Sequence, residues 1–106
     1  MFSARRLTLQ RQRERRKKAE SRYAALAPDL LAEVLSPDNR PGEVLEKVAN
    51  WLAAGTKIVW VIDPERREAR VCRQDGSLAI VGNDDALEGE DVLRGFSCRL
   101  GDALQP

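Results

Sequence analysis

Three stretches of the chain space their apolar residues with a period that selects an element. PDLLAEVLSP, residues 28–37, places Leu30, Ala32 and Val34 on one face of an extended segment and Asp29, Leu31, Glu33 and Leu35 on the other, because successive side chains of a strand point to opposite sides. From about residue 43 to 54, Val44, Leu45, Val48, Trp51 and Leu52 fall on one stripe at helical spacing. Gly55 follows, where a left-handed residue commonly ends a helix. KIVWVIDP, residues 57–64, is an unbroken β-branched and aromatic run, which predicts a strand buried on both faces. EARVCRQDGSLAIVG predicts a hairpin with strands over 68–73 and 78–82, turned at Asp75 and Gly76. The turn-rich SPDNRPG, residues 36–42, is a loop, and the acidic tail beyond Asp84, with apolar patches at Val92, Leu93 and Phe96, predicts short strand or turn pieces.

The first 26 residues differ. They lack Gly and Pro and favour helix, yet the middle of RQRERRKKAESRYAALA has almost no apolar face. We expect a helical or disordered segment over residues 1–27 and a folded part over 28–106. Charge divides at the same place. Residues 1–22 carry nine basic against two acidic groups, net +7, while the remainder holds nine basic and fifteen acidic groups, net −6, under an overall formal charge of +1.

Strand, helix, buried strand and hairpin make an α/β (α+β) pattern with a mixed sheet, and 106 residues at 42% hydrophobic content support one modest core. The chain has no His, which removes the Ser-His-Asp and Cys-His nucleophile systems and imidazole zinc sites. Cys72 and Cys98 form no CxxC pair, so we expect two buried, reduced thiols. No apolar run has the roughly 18 residues of a membrane span, and we expect a soluble cytoplasmic protein.

Glu33 is the most informative residue. A carboxylate among apolar neighbours on one face of a strand costs several kcal/mol unless it is paired, hydrogen-bonded or metal-bound; the alternative is an edge strand on which Glu33 reaches solvent. Lys47, at the border of the helical stripe one turn before Trp51, is the natural partner, or else a snorkelling lysine. Asp29 shares a face with Glu33, but four residues of strand separate their Cα atoms by about 13 Å, too far for one ion. Asp63, ahead of Pro64, is expected to turn the chain. In the basic arm, Arg13, Arg15, Arg16, Lys17 and Lys18 form a candidate phosphate-contacting run.

From residue 28 to the end, the order of a PDL-x-x-E-V-L-S-P strand, a helix with an interior Lys followed by an aromatic and Ala-Gly, a W-V-I-D-P strand and the closing EGEDVLRGFSCRLGDAL resembles the Uma-type putative restriction endonuclease family, a branch of the PD-(D/E)XK nuclease superfamily. The resemblance implies a restriction-endonuclease-like mixed sheet and phosphodiester hydrolysis of DNA with Mg²⁺. In that superfamily an acidic residue on a strand is followed two positions later by Lys. Glu33 matches the acidic, metal-binding position, whereas Leu35 stands at the place of the Lys. The family moves this Lys to the following helix, where Lys47 matches it, and Trp51 replaces a common tyrosine. Family members carry an upstream half whose strand supplies the first metal-binding Asp, and residues 1–27 do not resemble it. The resemblance therefore implies a truncated core with an incomplete site, its 29–35 strand left with an unpaired edge. Three functions compete: a Mg²⁺-dependent endonuclease acting on DNA, expected as a homodimer; an inactive remnant; and a non-catalytic nucleic-acid-binding module using the basic arm.

Overall fold

The computed structural model describes residues 5–8 and 27–105. Its main sheet runs in the order β1 (Arg5–Thr8), β2 (Leu30–Val34), β3 (Ile58–Asp63), β4 (Glu68–Arg73) and β5 (Leu78–Gly82). Strands β2 and β3 are parallel, the other neighbours antiparallel. A parallel pair needs a crossover, and helix α1 (Pro41–Ala53) supplies it. Pro41 at the first turn has its φ already set for helix, and Gly55, at φ 121°, leaves the far end. A second, two-stranded sheet pairs β6 (Ala86–Glu88) with β7 (Ser97–Arg99), followed by the short helix α2 (Leu100–Ala103).

Two apolar layers follow from the alternation along these strands. On one side Leu30, Ala32, Ile58, Trp60, Ile62, Ala69, Val71 and Val81 pack with Leu87 and Leu100 of the C-terminal segment. On the other side α1 lies over β2 and β3, and Val48 and Trp51 meet Leu31, Val59 and Val61. Strand β3 is buried on both faces, as its sequence predicts.

Two expectations are corrected. Residues 5–8, read from sequence as helical or disordered, form a strand paired antiparallel with β2, with Arg6 in register with Glu33. The β2 edge is therefore covered rather than open. Leu45, placed on the helical stripe, is 61% exposed. At about 100° per residue, Leu45 and Lys47 stand on opposite shoulders of the stripe centred on Val44, Val48 and Trp51, and α1 buries the middle of that stripe.

The hairpin closes as expected. Ser77 N–H donates to Asp75 Oδ1 at 2.9 Å, and that bond to the backbone holds the Asp75 carboxyl below its ordinary range. Arg73, at the end of β4, clasps Glu90 through its Nε and Nη2 at 2.9–3.1 Å, tying the sheet to the loop between β6 and β7. That loop is tight at Gly89, whose N–H donates to the Phe96 carbonyl and whose own carbonyl accepts from Leu93. A Cβ on Gly89 would run into the carbonyl and Cβ of Leu93. Gly89→Ala is expected to destabilise the protein by about 1–3 kcal/mol, the usual cost of overpacking; urea unfolding checks it, and an unchanged midpoint would contradict the packing described.

Candidate functional site

The face of the sheet beneath α1 carries the sequence-predicted carboxylate. Glu33 lies on β2 with Leu31, opposite Val61 of β3, and is 2% exposed. The solvent-reaching edge residue is thereby set aside. A carboxylate at that depth must be engaged to be tolerated, and Glu33 is engaged in an interaction of its own, as are Asp29, Lys47 and Trp51.

The helix that follows β2 brings the second candidate to the same side. Lys47 is half-buried on α1, one turn before buried Trp51 and beside Val44 and Val48, all three in the apolar layer beneath the helix. The loop before α1 is itself fixed: Ser36 N–H donates to Asn39 Oδ1 at 2.8 Å, and Leu35 N–H donates to the Ile62 carbonyl at 2.9 Å. This backbone sets how α1 returns over the sheet. Lys47 thus stands half-buried on the shoulder of the helix that covers this face, and Glu33 lies between helix and sheet, near the C-terminal end of a strand in a parallel pair. In open α/β sheets that is where ligands bind.

Across the sheet, the row through Glu33 continues to Val61, Arg70 and Ile80. Arg70 is exposed on the same face, a cation that the sequence reading did not single out. Its place is legible only once the registers of β3 and β4 are known. Asp63 takes the structural role expected of it: its Oδ1 accepts from Arg66 N–H at 3.2 Å in the turn after β3. The run Arg13, Arg15, Arg16, Lys17 and Lys18 lies outside the described residues.

A divalent cation needs several oxygen ligands. Among the described residues no group of three or more His, Cys, Asp or Glu gathers to hold a metal ion. Glu33 is the one carboxylate among the candidates built into the layer beneath α1.

Cys72 and Cys98 are free and half-buried rather than fully buried. Burial pushes the Cys72 thiol up, with neighbouring Arg70 opposing in the lesser degree. Since the thiolate is the nucleophile, Cys72 is expected to alkylate several-fold more slowly in the folded protein than in urea at mildly alkaline pH. Mass spectrometry of iodoacetamide-treated protein tests this, and equal rates would contradict it.

The Uma2 family, described as putative restriction endonuclease, matches residues 3–101. The chain belongs to this family. The match begins within the basic segment, upstream of residue 28, where the resemblance was read from sequence. A crystal structure of a putative nuclease belonging to DUF820 from Anabaena variabilis ATCC 29413 is similar with a TM-score of 0.66 at 25% identity, over 74% of this chain and 44% of that one. The chain thus spans less than half the length of that nuclease. No curated protein matches. The family assignment and this similarity agree with a mixed α+β nuclease fold. No helix among the described residues is long and apolar enough to cross a membrane.

Proposed function

We propose that the chain takes part in hydrolysis of DNA phosphodiester bonds as a cytoplasmic endonuclease, with Glu33 and Lys47 as its contribution to the site. The observation that carries this reading is a buried carboxylate on β2 beneath the crossover helix that carries a half-buried lysine, in a chain of an endonuclease family. Hydrolysis of a phosphodiester builds negative charge on the phosphate oxygens, and a fixed ammonium aimed at that charge lowers the barrier. Lys47 takes this role, with three donors on a flexible stem that can also orient the attacking water. Glu33 is acceptor-only when ionised and holds or activates that water.

Mg²⁺ is the proposed cofactor, and it requires oxygen ligands beyond those the described residues gather. The test is nicking of supercoiled plasmid by the purified chain in Mg²⁺ against chelator, with circular dichroism on the same sample. Nicking that chelator stops is the expected result. A folded chain that does not nick would overturn the reading in favour of an inactive remnant.

A further inference from the structure

The sheet has an edge that nothing among the described residues covers, and it lies at the opposite end from the one the sequence suggested. Strand β5 is last in the order. Its sequence, Leu-Ala-Ile-Val-Gly, has no charge and no proline, the devices by which natural edge strands avoid pairing with another chain. Leu78 and Ile80 are 57% and 55% exposed.

The hydrogen-bond phase decides which groups face outward. Gln74 N–H donates to the Lys57 carbonyl on the β3 side, and Arg73 N–H donates to the Ser77 carbonyl on the β5 side. With alternation along antiparallel strands and the register Val71 with Ala79 and Ala69 with Val81, the N–H and C=O groups of Ala79 and Val81 serve β4. Those of Leu78, Ile80 and Gly82 point away from the sheet. Gly82 is already satisfied, because its N–H donates to Asp85 Oδ2 at 3.0 Å and its carbonyl accepts from Asp85 N–H at 3.0 Å. Two residues, Leu78 and Ile80, keep outward donors and acceptors, and no other backbone hydrogen bond reaches either of them among the described residues.

We propose that β5 pairs with β5 of a second copy of this chain, antiparallel and about a two-fold axis through Ala79. The argument for a second copy is self-complementarity. An antiparallel two-fold centred on Ala79 sets Leu78 of each copy against Ile80 of the other as a hydrogen-bonded pair, so four backbone bonds form from the groups left over. It also leaves Gly82 with its own partner. A two-fold centred on Ile80 would instead require the Gly82 groups that Asp85 holds. The chosen register places Leu78 and Ile80 of both copies side by side on one face, the arrangement in which cross-strand apolar pairs stabilise a sheet. A strand of five residues buries less than the roughly 1,600 Å² of a standard interface, so the dimer is concentration-dependent.

Analytical ultracentrifugation of the full chain is expected to show a mass rising from monomer to dimer with concentration. Ile80→Glu, which sets a charge on the edge opposite Arg70 of β4, an opposite-charge pair that the hairpin tolerates, is expected to hold the protein monomeric with an unchanged circular dichroism spectrum. Ala79→Cys supplies a second readout: its Cα atoms would face each other as a non-hydrogen-bonded pair at about 4.5 Å, within disulfide range. Oxidation of Ala79→Cys should therefore give a covalent dimer that the wild type, with Cys72 and Cys98, does not form. A wild type that stays monomeric at every concentration, a dimer that survives Ile80→Glu, or Ala79→Cys that does not crosslink would each overturn the proposal.

Discussion

Glu33→Gln is expected to lower plasmid nicking by about 10²-fold or more while leaving the protein folded, the range typical of removing one charge-handling group from a catalytic site. Gln keeps the volume and one acceptor oxygen of Glu33 but gives up the negative charge. A loss of activity with an unchanged melting temperature therefore isolates the electrostatic role from the packing role. Glu33→Ala is a poorer probe, since a residue 2% exposed leaves a cavity when truncated. Lys47→Met, which preserves the aliphatic stem of this half-buried side chain, is expected to lower turnover similarly. Lys47→Arg should restore part of the activity if charge alone is needed and little if a compact, rotatable ammonium is needed. The two residues act as a unit under this reading, so the double variant should be barely worse than either single one. Full additivity in the double variant, or nicking at the wild-type rate in Glu33→Gln, would remove the pair from the mechanism.

Trp60→Ala is expected to cost about 3–5 kcal/mol, a large share of the roughly 5–15 kcal/mol that holds a domain folded. Trp60 stands at 3% exposure in the apolar layer shared by β2 to β5 and the C-terminal segment, with the Phe96 ring 5.7 Å away and tilted by 32°. Removing it empties the space between sheet and cover. At about 4–8 °C per kcal/mol for a domain of this size, the melting temperature should fall by about 12 °C or more. Trp60→Phe should do far less harm. Among the described residues the indole N–H of Trp60 has no hydrogen-bond partner, so the exchange removes a buried donor along with some volume. A melting shift of less than about 4 °C for Trp60→Ala would mean the two sheets are not held together through this layer.

The elements that sequence made legible are those whose signal is local. The hairpin falls on 68–73 and 78–82 as read, because Asp75-Gly76 sets a turn and Gly76 takes φ 93°. The alternation in β2 assigns Leu30 and Ala32 to one layer and Leu31 and Glu33 to the other, where the structure places them. Strand β1 was missed for the opposite reason. Four residues, two of them arginines, give no periodic signal, and their extended form depends on pairing with β2, a contact across more than twenty positions. Leu45 was misassigned because a helical stripe read from sequence has no width limit, whereas the helix buries only what meets the two strands beneath it. For the site, residue types and order pointed to Glu33 and Lys47. The exposed cation at Arg70 depended on knowing which strands lie side by side.

The five described strands of the main sheet appear in space in the order in which they occur along the chain, so no strand has to be inserted between two that are already paired. That ordering favours assembly by successive addition. The β4–β5 hairpin closes through a short loop, β3 joins it across another short turn, and β2 docks when α1 folds back. Each step costs a modest loop closure rather than a long search. On this view the meander from β3 to β5 is the nucleus, and changes there slow folding. Changes in β1 or α1, which join later, mainly hasten unfolding. The carboxylate and lysine proposed for the site therefore sit on β2 and α1, the two elements that this order adds to a meander already formed, so the site would be completed only when the crossover closes.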